Sequence, residues 1–188
     1  MALRAYCFVD CAYLRASLEG IQVEWQEINL RDVSNYALQT VKGRWQGEEV
    51  YLSRVFAYDA VPDDADDTIP VEKWLKRNGE IADLHVRRGH LVLDQRGNKR
   101  RQKGVDVQLT VDALKSAVSG VMDVSLFIAG DADFVPLFEA IRERGPLVAA
   151  STFPTSISDH FKEALDRVGY LPLDPAAWNW KLAPVPEN

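Results

Sequence analysis

Apolar runs of strand length alternate along the chain with segments whose apolar residues recur at helical spacing, the pattern of an α/β fold with a largely parallel sheet. The first run, Tyr6–Val9, ends in Asp10. Leu14 and Leu18 are spaced for a helix stopped by Gly20, and Val33, Tyr36, Ala37, Thr40 and Val41 for an amphipathic helix closed by Gly43. Glu49–Tyr58 reads as a second strand, and Thr68–Asn78 as a short helix with Pro70 in its first turn. Leu84–Val86 and Leu91–Leu93 read as strands or a hairpin, followed by a basic loop.

From Asp106, Val107, Val111, Leu114 and Val118 form a helical stripe that Leu109, Ala113 and Ala117 widen. That predicts a helix buried on much of its circumference. Val124–Ala129 is apolar enough for a strand buried on both faces. Phe134, Leu137, Phe138 and Ile141 predict a helix stopped at Gly145-Pro146. Then come a strand at Leu147–Ala150, a helix over Ser158–Val168 and a short strand at Tyr170–Leu173. The expected organisation is one domain over residues 1–173 and a C-terminal tail, 174–188, without clear periodicity.

Composition changes this picture little. The chain has 188 residues, enough for one domain with a sizeable core, and no stretch approaches the roughly 20 apolar residues of a membrane span. Its N-terminus does not read as a signal peptide, and two cysteines are too few for a disulfide framework or a zinc site. A reducing, cytoplasmic location is the expectation. Charge matters more. The net −6 argues weakly against nucleic acid, yet Arg87, Arg88, Arg96, Lys99, Arg100, Arg101 and Lys103 lie in one segment whose only acid is Asp94. A basic strip beside an acidic cluster is therefore compatible with the composition.

The candidate chemistry lies in four carboxylates. Asp10 ends the first strand, Asp131 and Asp133 follow the most apolar one, and Asp106 opens the helix after the basic loop. Loops beyond the carboxyl ends of parallel strands share one edge, so residues distant in sequence can converge there. Converging carboxylates repel, and a divalent cation resolves the repulsion. Oxygen-only ligands favour Mg²⁺ or Mn²⁺ over zinc. With no covalent nucleophile in a comparable setting, hydrolysis by metal-activated water is the economical chemistry.

Three blocks carry a resemblance: Phe8-Val-Asp10-Cys-Ala-Tyr13-Leu14, Lys103-Gly-Val-Asp106-Val107 and Phe127-Ile-Ala-Gly130-Asp131-Ala-Asp133-Phe134-Val-Pro136-Leu137. In order and separation they resemble the signature blocks of the NYN domain, LabA-like branch, of the PIN-like nuclease superfamily. The resemblance implies a three-layer α/β/α sandwich with a mostly parallel central sheet and a Mg²⁺- or Mn²⁺-dependent ribonuclease acting on RNA. It makes Asp10, Asp106, Asp131 and Asp133 both catalytic and metal-binding; the basic loop directly before Asp106 is then the expected grip on the RNA backbone, through Lys103, Arg101, Arg100 and Lys99. The first block departs from the family's Asp-Gly-x-Asn: Cys11 stands for the Gly and Tyr13 for the Asn. Tyr13 cannot replace an amide that helps bind metal or phosphate. The rival expectation is a catalytically weakened RNA-binding or regulatory protein on the same fold.

Plainer roles compete for each residue. Asp131 or Asp133 can cap the helix near Phe134, Asp10 can be a turn residue, and Asp106 can cap its own helix. Asp59, at the end of the second strand, is a weaker member of the cluster. Asp112 reads as a partner for Lys103 or Lys115, or as a group behind the ligands. Cys11 has no histidine close in sequence to activate it. A Toprim-like fold also sets Asp-x-Asp after a strand, but it wants Glu where this chain has Asp10. Trp178 and Trp180 suit packing on the body, or on a partner in a homodimer, better than stacking on bases.

Overall fold

The structure is a computed structural model describing residues 2–42, 49–62, 69–93, 100–154 and 157–181; for Lys42, Val92, Leu93 and 100–102 it describes the backbone only. The strands are β1 (Leu3–Asp10), β2 (Val50–Val61), β3 (Leu84–Leu93), β4 (Arg100–Lys103), β5 (Val124–Ile128), β6 (Leu147–Thr152) and β7 (Arg167–Tyr170). The helices are α1 (Cys11–Gly20), α2 (Leu30–Lys42), α3 (Pro70–Gly79), α4 (Val105–Val118), α5 (Val135–Arg142) and α6 (Asp159–Glu163).

The sheet order is β4-β3-β2-β1-β5-β6-β7. All pairings are parallel except β3 with β4, which closes one edge antiparallel. β1 sits centrally, between β2 and β5, and its five residues Ala5–Val9 are fully or almost fully buried. Alternation sorts its side chains. Ala5, Cys7 and Val9 meet Leu14, Leu18, Val33 and Trp74 under α1–α3, whereas Tyr6 and Phe8 meet Leu109, Ala113 and Phe138 under α4 and α5. The result is the expected three-layer α/β/α sandwich. A row of rings crosses its second core, with Phe8 stacked between Phe56 and Phe127 at 5.5 and 5.3 Å.

The structure corrects several expectations. Leu84–Leu93 is one continuous strand rather than two, because β4 returns along its second half, from Lys103 opposite His90 to Arg100 opposite Leu93. Part of the basic loop is thus an edge strand. The helix begun at Ser158 ends at Glu163, and the last strand is Arg167–Tyr170, since β6 pairs with it from Ala149 to Thr152. On α4 the two stripes are exchanged. Val105, Leu109, Ala113 and Ala117 face the sheet, while Val107, Val111 and Val118 are 67%, 42% and 64% exposed. Both stripes have helical period, so periodicity called the helix and not its orientation.

The segment read as a tail continues the packed body as far as Lys181. Trp178 and Trp180 are 8% and 6% exposed, Trp180 accepts the Asn29 N–H at its carbonyl, and Lys181 bridges to Ile28. Their burial removes the exposed tryptophans from the homodimer expectation. No helix among the described residues is long and apolar enough to cross a membrane.

Candidate active site

β1 has neighbours reached by opposite halves of the chain, so the crevice outside its carboxyl end is a switch point of the sheet. Asp10 closes β1 there and caps α1: its Oδ1 accepts the Tyr13 N–H at 3.0 Å. Next to it, on β2, Asp59 is fully buried. Asp131 follows β5 and caps the 3₁₀ turn Ala132–Phe134, its Oδ1 accepting the Asp133 N–H at 2.9 Å. Asp106 lies in the first turn of α4, whose N-cap is Gly104 at φ +84°, a left-handed conformation that glycine adopts without strain. Asp106, Asp131 and Asp133 are exposed, whereas Asp10 is only half-exposed.

The carboxylates form an electrostatic row. Burial pushes the pKa of Asp10 up to about 6, opposed by the Tyr13 N–H and reinforced by Asp106 and Asp59. Asp106 is raised by desolvation, then by Asp131 and Asp133. Neighbouring carboxylates thus disfavour ionisation at Asp10 and at Asp106. Yet no three His, Cys, Asp or Glu side chains among the described residues are gathered into a metal-binding group. The donor set fits a hard divalent cation in chemistry, being all carboxylate and mutually repelling, with two oxygens engaged as helix caps.

Asp59 belongs to the site but not as an open ligand. Arg15 holds it bidentately, Nε to Oδ2 at 2.9 Å and Nη2 to Oδ1 at 3.1 Å, and the Ala60 N–H adds a third bond at 2.8 Å. Burial still raises the pKa of Asp59, with the Arg15 bonds pulling the other way. The guanidinium also lies 5.1 Å from the centre of the Trp25 ring. The sequence reading missed Arg15. A charge inside the apolar run Phe56-Ala-Tyr-Asp59-Ala-Val61 was the available signal, because a buried carboxylate demands a cation.

Other assignments change too. Asp112 pairs with neither Lys103 nor Lys115: it accepts from Arg87 Nε at 2.9 Å and from the Tyr58 hydroxyl at 3.1 Å, fastening α4 to β2 and β3. Arg88 is engaged by Glu72, at 2.7 Å. These two arginines are thus partly neutralised. Lys103 is exposed at the end of β4, two residues before α4. Lys99 and the side chains of Arg100 and Arg101 lie outside the described residues. Cys11 is buried, and its thiol pKa is driven well above the ordinary value by burial, then by Asp59 and Asp10, so it is no nucleophile. His85 stacks on Phe56 at 5.2 Å.

Tyr13, in the place of the family's Asn, engages Phe153: its hydroxyl accepts the Phe153 N–H at 3.0 Å, and its ring sits 6.3 Å from that of Phe153.

Comparison with known proteins agrees with this architecture. A protein of unknown function from Vibrio parahaemolyticus, VPA0982, has a similar crystal structure, with a TM-score of 0.59 at 16% identity over 90% of this chain and 93% of that one. At that identity the likeness speaks for the fold alone. No curated protein matches the chain. The family model of the NYN domain, a member of the PIN-like nuclease superfamily, matches residues 4–172, a span that runs from β1 past β7 and contains all four carboxylates. The chain belongs to the NYN domain family.

Proposed function

We propose that the protein is a metal-dependent endoribonuclease of the LabA-like branch, hydrolysing RNA phosphodiester bonds with activated water. The observation that carries this is the row of carboxylates from three separate elements at one sheet edge, with Asp10 raised to about 6 by burial and by Asp106 and Asp59. Such a row is costly unless a cation uses it. Asp10, Asp106, Asp131 and Asp133 would hold Mg²⁺ or Mn²⁺. The bound ion would lower the pKa of a water and offset charge on the phosphate.

The protein's own groups do the rest. Asp10 is held at the mouth of β1 by its cap on α1. Asp106, Asp131 and Asp133 are exposed, so their side chains can rotate toward a common centre as repulsion is relieved. Lys103 stands on the same side of α4 as its N-terminus and would take the substrate backbone, with Arg101, Arg100 and Lys99 beside it in sequence. One observation favours the rival, a weakened RNA-binding module: Tyr13 supplies no amide to the site and its hydroxyl is engaged with Phe153.

End-labelled single-stranded RNA and DNA, incubated with wild type and Asp131→Asn in Mn²⁺, Mg²⁺ or EDTA, separate the two. Metal-dependent cutting of RNA that the variant lacks is expected. A folded wild type that neither cuts nor binds metal would leave the binding module.

A further inference from the structure

The residue that replaces the family's Asn is tied at both ends. Its backbone N–H holds the Asp10 carboxylate at 3.0 Å, and its hydroxyl holds the Phe153 N–H, just past β6, at the same distance. β6 is not a neighbour of β1, for β5 lies between them. Behind this link stands a chain of rings. Phe153 stacks on Trp178 at 5.9 Å with planes 11° apart, and Trp178 meets Trp180 edge-on at 3.8 Å. The Trp178 indole N–H is fixed to the Pro172 carbonyl at 3.2 Å, and the Trp180 ring lies 4.7 Å from Tyr36 of α2. A helix N-terminus is a place where backbone amides lack helical partners and ends fray. Here its third residue is anchored two strands away, to a residue of the same face of the sheet.

We infer that Tyr13 is a positioning residue for Asp10, and that the segment from Pro172 to Trp180 braces it through Phe153 and Trp178. The first turn of α1 cannot rotate without breaking the hydroxyl bond or the ring stack, so the carboxylate keeps one direction at the mouth of β1. The loss of the family's Asn is then a change of means: an amide that would reach into the site gives way to a phenol that holds the site's first carboxylate from behind. This inference rests on the nuclease reading for its consequence in catalysis, and on the geometry alone for the brace.

The test compares wild type with Tyr13→Phe, Trp178→Ala, Trp178→Phe and Lys181→Ala, the last removing only an exposed pair with Glu27. Three readouts are taken: Mn²⁺ affinity by titration, amide exchange in the first turn of α1 without metal, and kcat and KM on a single-stranded RNA. Tyr13→Phe and Trp178→Ala should weaken Mn²⁺ binding about tenfold, as loss of a supporting group behind a ligand typically does. Both should speed first-turn exchange and lower kcat while leaving KM nearly unchanged. Trp178→Phe should restore most of each, and Lys181→Ala should match wild type. A Tyr13→Phe variant that is merely less stable, with wild-type metal affinity and wild-type exchange, overturns the brace. If wild type cuts no RNA, the nuclease reading fails, and first-turn exchange still decides for or against the brace on its own.

Discussion

The two halves of the carboxylate row are built in opposite ways. Asp10 and Asp59, at the ends of β1 and β2, are sunk into the edge of the sheet, and every bond described for them is one the fold supplies: a helix-cap amide for Asp10, Arg15 and a backbone N–H for Asp59. Asp106, Asp131 and Asp133 are exposed: Asp131 accepts the Asp133 N–H, and Asp106 is joined to both by repulsion. Burial therefore fixes geometry in the first half at an electrostatic cost. Exposure leaves the second half adjustable at little cost, because water screens its charges. A site of this kind presents one inset carboxylate beside exposed ones.

The comparison breaks most sharply at Asp59. Removing its side chain leaves Arg15 without its buried partner, and Asp59→Ala should lose about 3–5 kcal/mol of stability in urea unfolding. A loss below about 1 kcal/mol would show that the pair is far better solvated than its burial implies.

Asp10→Asn should act in the other direction. A folded-state pKa near 6, above the ordinary 3.8, means that the native protein binds a proton the unfolded chain has already released. In EDTA the wild type should thus lose stability as pH rises from about 4 through about 6, and the loss should persist above that range. Asn carries no such proton. The variant should be more stable than wild type by about 1–2 kcal/mol at pH 7, the shift being offset in part by the lost charge at a helix N-terminus. The advantage should shrink toward pH 4; a difference that does not vary with pH would refute the raised pKa.

The smallest effect belongs to the exposed half. Asp131→Asn keeps a capping oxygen for the Asp133 N–H and relieves repulsion on Asp106, so its melting temperature in EDTA should rise by the equivalent of about 0.5 kcal/mol, while its gain on adding Mn²⁺ should fall. A variant that melts lower in EDTA and gains fully from Mn²⁺ would remove Asp131 from the site.

Much of this was legible in the chain. The alternation of apolar runs and helical patterns gave the layers, and the placement of Asp10, Asp106, Asp131 and Asp133 after strands or at a helix start gave one edge. The capping role anticipated for Asp131 is realised, whereas Asp10, expected as a turn residue, caps α1, and Gly104 rather than Asp106 occupies the N-cap of α4. Arg15 was not legible as the partner of Asp59, since 44 residues separate them and only the parallel pairing of β1 with β2 brings them together. Nor was the pairing of Asp112 with Arg87, which depends on how α4 lies across β3.

The clearest division lies in α4 and at Tyr13. By itself the sequence determined that residues near 106–118 form a helix and that a carboxylate opens it, because period and local bonding are properties of neighbours along the chain. Which of its two apolar stripes is buried was decided by the tertiary structure: Gly104 ends the β4 return at +84°, and the sheet then covers Leu109, Ala113 and Ala117 and leaves Val107 and Val118 in water. Likewise the sequence shows that Tyr13 lacks an amide, but only the fold brings Phe153 within 3.0 Å of its hydroxyl. Contacts between residues 140 positions apart depend on strand order and on the direction in which each side chain leaves its strand or helix, and no local pattern encodes either.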